Sequence, residues 1–347
     1  MDIFRNPREG RVRAIWRLVI HGLLTYGLMY LVSFPLVYLI ELILPLTAEQ
    51  PETGQSALVS PGLLLLMTLS GGIGALLSTW IACRWLDHRR LRDLGLQFGP
   101  QWWRELRFGL VLGACLIIGI LLVELAAGWA VIAGSGLTEA GLAEFGVGLL
   151  VAIIALVAVG FYEELILRGY QMVNIAESLN MPIWGAAGGV YIAFITTSLT
   201  FGLLHLGNPG ASLMGVGNIA ASGFLLMGLG YVLTGRLALP IGLHIGWNFA
   251  QAMIGLPVSG MLIDIPALLA TRVVGGDVWT GGAFGMEEGL LAAIATIIGC
   301  AILLVWMHVQ AGRIAIAPRI AWPPMPRRRR AAPQPESLTQ SSATSRP

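Results

Sequence analysis

Residues 147–160 read VGLLVAIIALVAVG, and residues 161–169 continue as FYEELILRG. The first stretch contains no charged residue, so a helix through it is expected to lie in lipid. The second stretch adds Glu163, Glu164 and Arg168 to the same apolar helix. Ionisable groups at membrane depth are costly to bury and usually have a function. The two stretches therefore predict a transmembrane helix with a functional site inside it.

The composition of the whole chain agrees with a membrane protein. Of its 347 residues, 56% are hydrophobic and only 12% are charged, far from the average of soluble domains. Apolar runs long enough to cross a bilayer, about 20 residues each, recur along most of the chain. The predicted fold class is all-α, a polytopic integral membrane protein. We expect about eight transmembrane helices, at residues 18–46, 61–83, 108–133, 146–172, 183–206, 212–235, 237–256 and 287–308.

The arginines predict how the chain is oriented. All 21 basic residues are arginine, and they cluster before the first predicted helix, between the second and third, and after the last. Cytoplasmic loops carry such an excess of basic residues. Both termini are therefore expected in the cytoplasm, with the protein integral to the plasma membrane of a bacterial cell. Membrane lipid is an expected partner and nucleic acid is not.

The chain divides into five predicted parts. Residues 1–17 form a basic cytoplasmic arm, residues 18–145 the N-terminal transmembrane helices, and residues 146–256 the core that carries the site. Residues 257–308 form an outer loop and the last helix, and residues 309–347 a disordered, proline-rich, basic tail. Within the second part, residues 84–107 combine arginine with tryptophan and are expected to lie at the membrane interface.

Two further polar pairs stand at helical spacing in later apolar runs. Phe201 and His205 are four residues apart, and so are His244 and Asn248, which places each pair on one helix face. Glycines two residues before and after His244 permit close helix contact. His244 is therefore expected where helices meet.

The first motif leaves one carboxylate without a local partner. Glu164 and Arg168 are four residues apart on one helix and can neutralise each other, whereas Glu163 has no charged partner within one turn. A carboxylate in a low-dielectric site is suited to take a proton from water. Glu163 is therefore the residue that we expect to be available for chemistry.

The remaining polar residues suit one of two schemes. A histidine can position a water molecule or carry its proton, while the other histidine and the amide of Asn248 stabilise an oxyanion. Alternatively, Glu163, His205 and His244 would form an open zinc site. The residues alone leave both schemes open: the first needs no cofactor, and the second needs zinc or another divalent metal.

Taken together, the motifs resemble the CPBP family of membrane proteases, which includes CAAX prenyl endopeptidases, Abi proteins and lysostaphin-resistance-like proteins. They match in type, order and approximate spacing, over residues 146–256: Glu163-Glu164-x-x-x-Arg168, Phe201-x-x-x-His205 and His244-x-x-x-Asn248.

The resemblance implies an eight-helix intramembrane endopeptidase, a hydrolase of the glutamate protease or metalloprotease type. Its substrate would be a membrane-associated, prenylated or otherwise hydrophobic peptide. By the same resemblance Glu163 activates water with help from His205, and His244 and Asn248 hold the oxyanion. The implied accessory residues are Glu164, Arg168 and Phe201.

A non-catalytic protein is the alternative. It would be a membrane scaffold or a transporter-like protein that gives a cell immunity to its own bacteriocin, with Glu163 carrying a proton or binding a cation. The chain shows no internal repeat, which weakens the transporter interpretation because many transporters are built from repeats.

The depth of the site poses a geometric problem. With straight helices, which rise about 1.5 Å per residue, His205 would lie near the outer membrane surface and Glu163 and His244 nearer the cytoplasm. We therefore expect either that residues 182–189 run along the interface, or that the helix breaks at Gly188 and Gly189.

Overall fold

The computed structural model describes residues 3–6, 9–46, 48–49 and 56–324. Its architecture is a bundle of long helices, so the all-α polytopic fold class is confirmed. In chain order the helices are α1 Ala14–Glu41, α2 Pro61–Asp87, α3 Pro100–Ala126, α4 Gly141–Ser178, α5 Gly185–Leu204, α6 Leu213–Thr234, α7 Ala238–Met253 and α8 Leu290–Ala311.

Seven of these helices, in the described part of the chain, are long and apolar enough to cross a membrane. The exception is α7, which has 16 residues instead of the 20 predicted over 237–256 and is buried along almost its whole length. It packs mainly against α3 and α4 at the centre of the bundle. Hydropathy alone cannot separate a helix covered by protein from one covered by lipid, and α7 is of the first kind.

Glycines bring α3 and α7 into close contact. A methyl group on Gly242 or Gly246 would overlap the backbone of α3, and one on Gly109 or Gly113 would overlap the backbone of α7. Small residues four apart on both helices allow such backbone approach. The close contact predicted around His244 is therefore confirmed.

The length of α4 solves the depth problem in a way that we did not predict. This helix continues from Glu164 to Ser178, about 20 Å at about 1.5 Å per residue, and Gly189 of α5 packs beside its end. From Gly189 the chain runs back in the opposite direction for about 24 Å to His205, so His205 lies at about the same membrane depth as Glu164. Both expected solutions are wrong, because α5 begins at Gly185 and runs unbroken through Gly188 and Gly189.

Arginines from distant parts of the chain meet at one face of the bundle. They line a cavity of about 620 Å³ between the N-terminal arm, the end of α2, the turn after α6 and the C-terminal segment. The arm itself forms a small hairpin of β1 Arg5–Asn6 and β2 Arg11–Val12. The arginines that line the cavity are Arg11, Arg84, Arg89, Arg90 and Arg319.

A buried network of ion pairs, the arginine network, lies behind this face. Arg17 Nη1 is 2.5 Å from Asp87 Oδ1 and 3.4 Å from Glu177 Oε2. Arg11 lies 3.3 Å from the same Glu177 oxygen, and Arg89 binds its other oxygen. The network joins α1, the end of α2 and the end of α4.

Two of the predicted connecting segments are more regular than expected. Residues 84–107, predicted to lie at the membrane interface, contain the end of α2 at Asp87, the 3₁₀ helix Leu91–Leu94 and the start of α3 at Pro100. The disorder predicted for the tail is wrong for Pro318–Ala321, a short 3₁₀ helix in which Ile320 and Ala321 are buried. Residues 325–347, including the arginine run, lie outside the described residues.

The opposite face carries short strands and one-turn helices. In chain order the strands are β3 Ala48–Glu49, β4 Ala57–Val59, β5 Ala130–Gly134, β6 Met261–Ile263 and β7 Ala270–Val273. Strand β3 pairs antiparallel with β4, β4 pairs parallel with β6, and β5 pairs antiparallel with β7. The glycine-rich loop between α7 and α8 is therefore tied to the loops after α1 and α3.

Candidate active site

The first motif forms an ion pair inside the bundle. Arg168 Nη1 donates to Glu164 Oε1 at 3.0 Å, and both side chains are fully buried. The guanidinium also donates to the Gly223 carbonyl at 3.2 Å and lies 4.4 Å from the centre of the Phe201 ring. The predicted Glu164–Arg168 pair is confirmed. Arg168 lies within a π-helical segment, Leu165–Gln171, and Glu164 directly precedes it; such distortions are often found at functional sites.

His244 lies between the two adjacent carboxylates of α4. Its Nδ1 is 3.0 Å from Glu164 Oε1, and its Nε2 is 3.8 Å from Glu163 Oε2. With Nδ1–H donated to Glu164, Nε2 of a neutral imidazole faces Glu163 as an acceptor, whereas a protonated ring would form ion pairs with both carboxylates. Glu163 and His244 therefore form a pair that can share a proton.

The Glu163 side chain remains accessible, with 22% of its surface exposed against 6% for His244. Glu164, its neighbour in sequence, is fully buried. The two glutamates thus occupy different environments, as their helical positions predicted. One is held by Arg168 and His244, and the other can be reached.

His205 is held at the end of α5. Its Nδ1 lies 2.8 Å from the carbonyl oxygen of Phe201, one turn earlier. Since a carbonyl can only accept, Nδ1 carries the proton, and Nε2 of the neutral ring is free to accept. Among the described residues no hydrogen bond or ion pair joins His205 to Glu163. The histidine next to that carboxylate is His244.

Phe201 links the motifs. The centre of its ring is 5.0 Å from the centre of the His205 ring and 5.9 Å from that of His244. The Arg168 guanidinium lies over the same ring. The accessory residue predicted from the sequence therefore touches residues of all three motifs.

A small cavity lies where these helices meet. It has a volume of about 30 Å³ and is lined by His205, His244 and Asn248, enough room for one or two water molecules. The amide of Asn248 makes no hydrogen bond to another described residue. Glu163 does not line this cavity, but its neighbour His244 does.

The possible metal site has no matching set of ligands. Within the described ranges, no three His, Cys, Asp or Glu side chains are grouped so that they could hold a metal ion. His244 directs both ring nitrogens towards carboxylates, and His205 directs Nδ1 to a backbone carbonyl. In this arrangement Glu163, His205 and His244 do not fit a three-ligand zinc centre.

Among the lining residues that we did not predict are Ser259 and Glu287, from the segment between α7 and α8. We interpreted residues 257–286 as an outer loop and placed Glu287 at the start of the last transmembrane helix, 287–308. The one available signal was the acidic pair Glu287-Glu288 directly before an apolar helix. No spacing rule connects that pair with motifs about 40 residues or more away in sequence.

Comparison with known proteins agrees with the motifs. Residues 145–250 match the model of the family described as type II CAAX prenyl endopeptidase Rce1-like, and this segment contains all three motifs. No curated protein and no solved structure gives a significant match to the chain. The central segment of the chain is therefore similar to the Rce1-like type II CAAX prenyl endopeptidases, a protease family, and this match supports the resemblance to the CPBP family.

Proposed function

We propose that this protein is an intramembrane endopeptidase that hydrolyses a peptide bond of a membrane-associated, prenylated or otherwise hydrophobic peptide. The observation that carries the proposal is the arrangement at the cavity: the Glu163–His244 pair adjoins a space that His205 and Asn248 also line. Polar groups from three helices thus converge inside an apolar bundle, where such groups are costly unless they have a use.

In the proposed mechanism Glu163 and His244 act as one base. A water molecule beside the accessible Glu163 carboxylate gives up a proton to this pair through Glu163 as its oxygen attacks the carbonyl carbon. Glu164 and Arg168 keep His244 in place through the bond to Nδ1. His205 accepts a hydrogen bond from the water through Nε2 and so holds it.

Asn248 is the proposed oxyanion donor. Its amide N–H groups have no other partner among the described residues, so one can meet the negative charge that develops on the carbonyl oxygen. The sequence resemblance paired His205 with Glu163 and His244 with Asn248. The contact between His244 and Glu163 supports exchanging the two histidines between these roles.

The test is cleavage of a prenylated CAAX peptide and its unprenylated counterpart by purified protein in detergent, followed by mass spectrometry. Glu163→Gln should lower turnover by about 10²–10⁴-fold, the usual contribution of a positioned base, without loss of thermal stability. Glu144→Gln, a change at an exposed glutamate of the same helix, is the matched control. Unchanged cleavage by Glu163→Gln would refute the mechanism.

A folded protein that cleaves neither peptide, nor any member of a membrane-peptide library, would instead favour the non-catalytic alternative. In that case proteoliposomes containing the protein should show proton- or ion-coupled uptake that Glu163→Gln abolishes.

We also propose that the arginine-lined face is cytoplasmic and that both termini lie there, in a plasma membrane. The convergence of the arginines on one face supports this orientation. In a cysteine-free background, Gly276→Cys should react with an impermeant thiol reagent added to intact cells, and Arg313→Cys should not. Labelling of both would contradict the proposed orientation.

A further inference from the structure

Glu287 is a third carboxylate at the candidate site. It lies in the short 3₁₀ helix Met286–Glu288 before α8, outside the family segment 145–250. Its side chain lines the same small cavity as His205, His244 and Asn248. It approaches from the loop side, whereas Glu163 and Glu164 approach from α4.

Ser259 holds one oxygen of this carboxyl group. The Ser259 backbone N–H and hydroxyl both donate to Glu287 Oε2, at 3.0 and 2.8 Å. Ser259 has a φ of 49°, a left-handed conformation that non-glycine residues adopt only when their surroundings enforce it. Asn208 contributes to this by donating to the Ser259 carbonyl at 2.9 Å. The strained turn thus presents two donors to one oxygen.

The other oxygen of Glu287 is left for the cavity. Oε1 makes no hydrogen bond to any described protein group, while the residue as a whole is only 7% exposed. Burial raises the pKa of the Glu287 carboxyl above its ordinary value. Because Oε2 already accepts two hydrogen bonds, a proton held by this carboxyl belongs on Oε1.

We propose that Glu287 is the proton donor to the leaving amine in the peptide hydrolysis proposed above, on which this inference rests. Water adds its oxygen to the carbonyl carbon and gives one proton to the Glu163–His244 pair. The C–N bond then breaks, and the nitrogen takes the proton from Glu287 Oε1, so that an amine and a carboxylic acid leave. The proton on the Glu163–His244 pair restores Glu287 through water in the cavity.

The separate roles of Glu163 as base and Glu287 as acid follow from the positions of the two side chains. Two carboxyls in different environments can take the separate roles of base and acid. Glu163 is accessible and next to a histidine. Glu287 is buried, bound by hydroxyl and amide donors, and carried by a different segment of the chain.

The experiment compares two substrates with the same acyl part, a peptide amide and a p-nitrophenyl ester. The amide needs a proton on its leaving nitrogen, whereas p-nitrophenolate leaves without one. Glu287→Gln should therefore lower amide turnover by about 10²-fold or more and leave ester turnover little changed. Glu288→Gln is the control, because Glu288 binds Ser212 and does not line the cavity; it should affect neither substrate.

Equal loss of amide and ester turnover in Glu287→Gln would overturn the inference, since that pattern indicates a role in binding or structure. Normal amide turnover would overturn it as well. If Glu163→Gln abolishes both activities while Glu287→Gln cleaves the amide normally, only this inference fails. If Glu163→Gln cleaves both substrates normally, the proposed function itself fails.

A second variant covers the case in which Glu287→Gln does not fold. Ser259→Ala removes one of the two donors and leaves the carboxyl in place. It should lower amide turnover by a smaller factor than the Gln variant and spare the ester. An equal effect on both substrates would again contradict a proton-donor role.

Discussion

Two clusters of charged side chains lie inside the described part of the bundle, and they are balanced differently. In the arginine network, three arginines meet Asp87 and Glu177, with Glu9 at its edge. In the candidate active site, one arginine, Arg168, faces two glutamates and a histidine. The first cluster has enough positive charge for every carboxylate, and the second does not.

This difference indicates separate roles. A buried pair whose charges are matched keeps its protonation state, and removing one partner is costly because the other charge stays buried. At the candidate site, Glu163 and Glu164 exceed the charge of Arg168, and His244 lies between them. Histidine gains and loses a proton readily near neutral pH, which suits catalysis. We therefore propose a structural role for the arginine network and a role in the proposed chemistry for the unbalanced cluster.

The largest expected effect is on stability, at the balanced cluster. Glu177→Gln removes the carboxylate that binds Arg11, Arg17 and Arg89, and leaving buried charges unpaired costs about 3–5 kcal/mol. Thermal unfolding in detergent should show a clear fall in Tm, with unchanged turnover per folded molecule. Glu144→Gln, on the same helix but exposed, should leave Tm unchanged. A loss of turnover without a fall in Tm would reverse the assignment.

The second largest expected effect is a fall in the turnover rate, caused by a change at the candidate active site. Asn248→Ala should lower turnover by about 10²–10³, the usual cost of one lost oxyanion donor, with Tm maintained. Gln101→Ala, at an exposed amide, serves as control. Elemental analysis should find the same metal content in both proteins, and activity should survive a chelator. Loss of a bound metal from the Asn248 variant would show that its amide serves a metal centre.

The smallest effect is expected at the residue that connects the motifs. Phe201→Leu removes the ring under the Arg168 guanidinium, and such a cation–π contact contributes about 0.5–2 kcal/mol. We expect a modest fall in both Tm and turnover, smaller than in the two variants above. Phe98→Leu, at an exposed ring, should change neither. An effect as large as that of Asn248→Ala would mean that Phe201 contacts the reacting groups.

Several features could be predicted because they depend on neighbours in sequence. The Glu164–Arg168 pair follows from a spacing of four on one helix. The close packing around His244 follows from glycines four apart. The membrane class follows from hydropathy, since runs of about 20 apolar residues have few other uses. Each of these properties is local to a single helix.

Other features depend on contacts between distant segments, and only the tertiary structure decided them. His244 contacts Glu164, which is 80 residues away in sequence, and no periodicity in the sequence indicates which histidine contacts that carboxylate. The membrane depth of His205 depends on how far α4 extends past Glu164 before the chain reverses direction. Glu287 enters the cavity because a strained turn at Ser259 holds it there. Such placements result from packing, in which every helix length and loop shifts the groups that finally meet.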